Sequence, residues 1–100
     1  ADLKDRRVLA EEGFISIFLA IDAQTGGIIV GPEIHARGFA PDDAVFDDVR
    51  PALVKALEEA AGNGTRDTHA FAQVVRRTVG RWVNTQHRRR PMIVPVVIEA

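Results

Sequence analysis

The stretch GFISIFLAID at residues 13–22 constrains the fold of this chain more than any other feature. Its side chains alternate in character, as a β-strand requires, and it contains no proline. One face is wholly aliphatic and is predicted to lie in the core; it consists of Ile15, Ile17, Leu19 and Ile21. The other face is half apolar; it consists of Phe14, Ser16, Phe18 and Ala20. Both faces therefore need at least partial cover.

Two further apolar segments each contain a proline. IIVGPEIHARGFA (28–40) follows the glycine-rich turn AQTGG and contains Gly31-Pro32, whereas PMIVPVVIEA (91–100) contains Pro95. Because proline donates no hydrogen bond to a neighbouring strand, these segments suit sheet edges, or a bulge at Gly31-Pro32. The sequence therefore predicts residues 13–22 as the central strand.

A first helical stretch lies at residues 41–64. Apolar residues recur there at steps of three and four, Asp42 or Asp43 is a suitable N-cap, and Gly62-Asn63-Gly64 is a stop signal. Pro51 leaves two options. A regular helix could begin near residues 47–48 with the proline in its first turn, or a longer helix could kink there, and we favour the kinked helix.

A second helix is predicted over residues 65–90, with Asp67 as its N-cap and Arg88–Arg90 at its C-terminal end. One apolar stripe follows helical spacing; it consists of Phe71, Val74, Val75, Thr78 and Trp82. Gly80 in the middle of this helix costs stability and would permit a close packing approach.

These elements predict an α/β (α+β) fold of order ββααβ, a three-stranded mixed sheet with a two-helix hairpin packed on one face. Residues 1–12 are read as a charged linker and residues 13–100 as one small domain. The sheet face away from the helices would remain apolar, which indicates a partner. Interface candidates on it are Phe14, Ser16, Phe18, Val96 and Ile98.

The composition indicates the class of protein and the compartment with which the chain is compatible. The chain has 46% hydrophobic and 27% charged residues, typical of a globular domain, and no apolar run approaches the roughly 18 residues of a membrane span. It has no cysteine, which is compatible with the cytoplasm. It begins at Ala1 rather than Met, so we expect it to be a piece of a longer protein.

Positive charge is concentrated in one region. Residues 66–90 contain seven arginines and one acidic residue, whereas residues 1–65 contain six basic and twelve acidic residues. A phosphate-binding strip for RNA would consist of Arg77, Arg81, Arg88, Arg89 and Arg90. Alternatively, Arg77 and Arg81 pair with the acidic first helix and the others cap the second. No aromatic residues interleave with the arginines to stack bases, which weakens the RNA reading.

No active site is predicted. His35, His69 and His87 stand on different elements without metal-ligand spacing, and the only serine, Ser16, lies inside a strand. The glycines of TGGIIVGPE lack the Lys-Ser/Thr of a phosphate-binding loop. We therefore expect no catalytic residue, metal ligand or cofactor in this domain.

Several motifs in this order resemble the C-terminal domain of bacterial ribonuclease J, a metallo-β-lactamase/β-CASP ribonuclease family. The most specific are GPEI with RGF (31–34 and 37–39) and RRRPMIVPV (88–96). The chain departs from the family pattern at Pro51 and at His35-Ala36. The resemblance implies a parent enzyme, zinc-dependent in its catalytic part, that processes and degrades RNA as a 5′-to-3′ exonuclease and endonuclease.

The resemblance also implies that this domain helps subunits assemble, as a dimer or tetramer, and supports the catalytic domains. None of the family's zinc ligands matches a position in this chain. Our first hypothesis is thus an assembly domain that uses the apolar sheet face. The second is an auxiliary RNA-binding module that uses the arginine strip, and an independent enzyme is the third.

Overall fold

The computed structural model describes residues 13–100, and the predicted linker at residues 1–12 lies outside them. The predicted order ββααβ is confirmed. The elements are β1 (Phe14–Ile21), β2 (Ile28–Arg37), α1 (Arg50–Gly62), α2 (Thr68–Trp82) and β3 (Met92–Glu99). A 3-10 turn at Asp43–Asp47 precedes α1, and a turn of π-helix at Val83–His87 follows α2.

The three strands form one mixed sheet with β1 at the centre, as predicted. β1 pairs antiparallel with β2 and parallel with β3, so both proline-bearing strands are edges. The pairing of β1 with β2 shifts between Phe18 and Ala20, opposite the cis bond Gly31-Pro32. Gly31 has φ +87°, and a Cβ there would lie 2.5 Å from the carbonyl oxygen of Phe18. The predicted bulge is therefore present, and it requires glycine.

The aliphatic face of β1 forms the centre of the core. Ile15, Ile17, Leu19 and Ile21 are all fully buried. Both helices cover this face with buried side chains, chiefly Leu53, Leu57, Phe71, Val75 and Val79. Because burial of one such side chain is worth about 1.5–3 kcal/mol, this layer is what fixes the helices on one side of the sheet.

The kinked helix predicted at Pro51 is wrong. α1 begins at Arg50 and Pro51 stands in its first turn. The N–H groups of a first turn have no partner within the helix, so proline loses nothing there. Upstream, Asp42 caps the 3-10 turn, since its Oδ1 accepts a hydrogen bond of 2.8 Å from the backbone N–H of Ala44.

The second helix is capped by Asp67 as predicted, but it does not extend to Arg90. Regular α-helix ends at Trp82, and the π-helical turn that follows ends at His87. Arg88 then adopts a left-handed conformation with φ 52°, which stops the helical path. The three arginines therefore lie after the helix rather than in its last turn.

The apolar stripe of α2 is only partly as predicted. Phe71, Val74 and Val75 are buried, but Thr78 and Trp82 are half-buried while Val79 and Val83 enter the core. The close approach predicted at Gly80 is also not required. A Cβ there would lie 3.5 Å from Cδ1 of Ile93, an ordinary van der Waals contact.

The turn between β1 and β2 is tied to the end of α1. Oδ1 of Asp22 accepts hydrogen bonds from the backbone N–H groups of Gln24 and Thr25, at 2.8 and 2.9 Å. These bonds, that of Thr25 first, lower the pKa of Asp22 below its ordinary value. Arg66 donates to the carbonyl oxygen of Gln24 at 2.7 Å and to that of Ala61 at 2.9 Å. One side chain thus joins the turn to the helix.

Candidate interaction surfaces

The sheet face opposite the helices is here called the open face. On β1 it consists of Phe14, Ser16, Phe18 and Ala20, and the parallel register places these beside Met92, Val94, Val96 and Ile98 of β3. All five interface candidates predicted from the sequence therefore lie on one surface. Phe18 pairs with Val96 in this register, and Ser16 lies between Phe14 and Phe18.

A row of apolar side chains is exposed along β3. Met92, Val94, Val96 and Ile98 are 37, 36, 42 and 44% exposed. Met92 and Val94 belong to this surface but were not among the predicted candidates. Both could have been predicted, because Met92, Val94 and Val96 follow one another at steps of two and alternate residues of a strand share a face. Single exposed aliphatic residues are common on proteins, but a contiguous row beside two phenylalanines is typical of an interaction surface.

Most of the β2 side of the open face is polar, although Val30, which lies opposite Ala20, is 44% exposed. Arg37, His35 and Glu33 lie opposite Phe14, Ser16 and Phe18 respectively. His35 Nδ1 lies 3.1 Å from Oδ2 of Asp43 in the 3-10 turn. The open face therefore has an apolar area over β1 and β3 and a charged border along β2, the arrangement found at protein interfaces with a polar rim.

The outer edge of β3 is a poor place for another strand to pair. The backbone N–H of Met92 donates to the carbonyl oxygen of Gly13, and that of Ala100 donates to the carbonyl oxygen of Ile21. The backbone N–H groups of the even-numbered residues of β3 therefore point toward β1. N–H direction alternates along a strand, so Pro95 occupies an outward position. There its missing N–H costs no bond inside the sheet and removes a donor from the free edge. A partner would therefore meet the face of this sheet more readily than this edge.

Arg89 has a role inside the fold. Its Nη2 donates to the carbonyl oxygen of Gly38 at 3.0 Å, and its Nη1 donates to that of Phe39. The guanidinium carbon lies 4.8 Å from the centre of the Phe39 ring. This half-buried side chain thus fastens the segment after β2 to the segment before β3, so its predicted role in a phosphate strip is unsupported.

The other predicted arginines, Arg77, Arg81, Arg88 and Arg90, are exposed. Arg77 and Arg81 line a groove between α1 and α2, together with Glu59. Arg90 lines a different depression beside Gly80. Within residues 13–100 the ion pairs are His35 with Asp43 and Arg50 with Asp47. The alternative prediction, that Arg77 and Arg81 pair with the acidic first helix, is therefore wrong.

An aromatic cluster lies where α2 ends. Trp82 packs against Phe46 and His87 with ring centres 5.8 and 4.7 Å apart, and Phe39 completes the cluster. Nε1 of Trp82 donates a hydrogen bond of 2.8 Å to Oδ2 of Asp48. Trp82 and Arg81 line one depression. An aromatic ring therefore lies beside one of the predicted arginines, in a depression that both side chains line.

The described residues offer no place for zinc. Over residues 13–100, no three His, Cys, Asp or Glu side chains come together as metal ligands. In the same part of the chain, no helix has the length and apolar character needed to cross a membrane.

Comparison with known proteins places these observations in a family. The model of the ribonuclease J C-terminal domain matches residues 2–100. The chain is 37% identical over 93 residues to ribonuclease J of Mycobacterium tuberculosis and 39% identical over 93 residues to that of Mycolicibacterium smegmatis; each match covers 93% of this chain. It is 25% identical over 100 residues to ribonuclease J2 of Bacillus subtilis, which covers 97% of this chain. The chain spans only 17–18% of the length of these relatives.

Proposed function

The chain belongs to the ribonuclease J C-terminal domain family, and we propose that it is the assembly domain of a larger ribonuclease. Its task is to hold subunits or domains together so that the catalytic part works. The observation that carries this proposal is the open face: a contiguous row of aliphatic side chains, 36–44% exposed, beside Phe14 and Phe18.

Burial of the open face would release free energy in proportion to the apolar area covered, at about 25 cal/mol per Å². The polar border along β2 would supply specificity, since His35, Glu33 and Arg37 can be matched by complementary charges. Pro95 disfavours strand pairing at the β3 edge, so the proposed contact is face to face. The partner is another subunit, in a dimer or tetramer, or the catalytic body of the same chain.

For the parent protein, we propose an RNA-processing and decay nuclease with 5′-to-3′ exonuclease and endonuclease activity, located in the cytoplasm. The support is the ribonuclease J name of the relatives and the family resemblance. Zinc chemistry would reside in the catalytic domains, because the described residues here do not supply ligands for it. In this first proposal the domain supports RNA cleavage through the assembly it forms.

The test is the mass of the particle in solution. Multi-angle light scattering should report an oligomer, either for the chain alone or for the chain within its parent. The double substitution Val96→Asp and Ile98→Asp should dissociate it, because two carboxylates would have to be desolvated. Ala23→Asp in the exposed β1–β2 turn is the matched control and should leave the mass unchanged. A strict monomer at high concentration, both alone and fused to the parent, would rule out the oligomer.

A second function is favoured by one observation, the exposure of Arg77 and Arg81 in a common groove without ion-pair partners among residues 13–100. We propose RNA contact by these two, with Arg88 and Arg90 as further exposed cations. Changing Arg77, Arg81 and Arg88 to Gln should weaken RNA binding and lower its salt dependence. Unchanged affinity and salt slope would refute this function.

A further inference from the structure

A depression at the C-terminal end of α2 has the character of a ligand site. It is here called the Trp82 pocket, and its walls include Asp48, Ala52, Thr78, Arg81, Trp82 and Gln86. Its volume is about 270 Å³. That lies just below the roughly 300–1,000 Å³ typical of pockets for drug-sized molecules, so it suits a single planar ring system. It lies on the helical side of the domain, away from the open face.

Trp82 is held in place before any ligand arrives. Asp48 accepts the indole N–H at 2.8 Å, and Phe46 and His87 pack against the ring. The side chain nevertheless remains half-exposed and contributes to the pocket wall. A fixed, partly exposed indole is a good stacking surface, because little side-chain entropy is lost when a ring binds to it.

Positive charge adjoins the pocket. The groove between α1 and α2 shares Thr78 and Arg81 with the Trp82 pocket and adds Arg77 further along the helix. Neither arginine has an ion-pair partner among residues 13–100, so both can meet phosphates, although Glu59 in the groove offsets part of their charge. An aromatic platform beside a basic groove is how proteins bind single-stranded nucleic acid.

We propose that the Trp82 pocket binds one unpaired base of single-stranded RNA, with the adjoining phosphates at Arg81 and Arg77. The Asp48 oxygen that Trp82 leaves free accepts hydrogen bonds and donates none. It therefore favours the two-donor amino group of adenine over uracil, whose one donor, N3–H, lies between two acceptor carbonyls. The choice of RNA as the ligand rests on the RNA contact proposed above as the second function. Assembly through the open face is independent of it.

Trp82 is the only tryptophan in the chain, so its fluorescence reports directly on the pocket. Titration with hexa-adenylate RNA should quench it saturably, hexa-uridylate should bind more weakly, and inorganic phosphate should not quench it. Arg81→Gln should weaken binding roughly tenfold, and Ala52→Leu, which fills the pocket and keeps helix propensity, should weaken it as much. Arg76→Gln, an exposed change of equal charge on α2 outside the pocket, is the matched control.

Three results would overturn the proposal. The first is the absence of saturable quenching by RNA; the pocket would then bind a protein side chain or no ligand. The second is equal weakening by Arg81→Gln and Arg76→Gln, which is the mark of diffuse attraction. The third is full affinity in Ala52→Leu. Thermal unfolding of each variant, followed by circular dichroism, confirms that the fold is retained. Light scattering on the same samples tests assembly separately, so either proposal can fail alone.

Discussion

Replacing Arg89 with glutamine is expected to destabilise the fold by about 2 kcal/mol, working from the contacts of this side chain. Its guanidinium donates to the carbonyl oxygens of Gly38 and Phe39. Hydrogen bonds that involve a charged group contribute about 1.5–3 kcal/mol, and the half-exposed position puts Arg89 at the low end. The contact with the Phe39 ring adds about 0.5 kcal/mol.

Urea denaturation followed by the fluorescence of Trp82 measures this loss. Trp82 lies 6.5 Å from Phe39, centre to centre, so the probe reports on the region that Arg89 holds. With a denaturant slope of about 1–3 kcal/mol per molar, a loss of about 2 kcal/mol lowers the midpoint by about 1 M. Arg90→Gln, an exposed arginine one residue away, is the control and should change stability by less than about 0.5 kcal/mol.

Unfolding of Arg89→Gln at the same urea concentration as the unaltered chain, or as Arg90→Gln, would contradict this role of Arg89. Either result would mean that the carbonyls of Gly38 and Phe39 are satisfied equally well without the guanidinium. A loss of RNA affinity with no loss of stability would instead restore Arg89 to the phosphate strip predicted from the sequence.

Three more substitutions test particular features of the fold. Ile17→Ala, at a fully buried position in the central strand, should cost about 2–5 kcal/mol in urea denaturation. Gly80→Ala should instead stabilise α2 by up to about 1 kcal/mol, since within residues 13–100 the added Cβ meets only Ile93, at 3.5 Å; a lower melting temperature would contradict this. Because the pKa of folded Asp22 is lowered from 3.8, its charge adds stability above that pH, and the stability is lost as pH falls through the lower folded value. Asp22→Asn should therefore be less stable than the unaltered chain at pH 7 and approach it in acid, and a gap independent of pH would contradict the assignment.

The sheet could be predicted because its signals are local and strong. Strict alternation in β1 leaves one register for the core, and the prolines of β2 and β3 restrict those strands to edges. The open face followed directly, because a two-layer domain of this size cannot cover both faces of its sheet. Met92 and Val94 could have been added by extending the same alternation along β3.

The end of α2 could not be predicted, because its signal is tertiary. Arg88 adopts a left-handed conformation that usually favours glycine or asparagine, and nothing in the local sequence marks it. The contacts of Arg89 with residues 38–39 span about fifty positions of chain. Pro51 is different: the sequence permitted both a kink and a first-turn position, and the structure adopts the one that sacrifices no hydrogen bond.

The most direct test of the central claim is the reactivity of a thiol placed on the open face. The chain has no cysteine, and Val96 is 42% exposed, so Val96→Cys introduces one reactive group there; Gln73→Cys on the exposed side of α2 is the control. Labelling rates are compared in the isolated chain, diluted until it is monomeric, and in a full-length parent without other reactive thiols. We expect strong protection of the Val96→Cys thiol in the parent and equal labelling of the control thiol in the two contexts. Equal labelling of both thiols in the two contexts would contradict it.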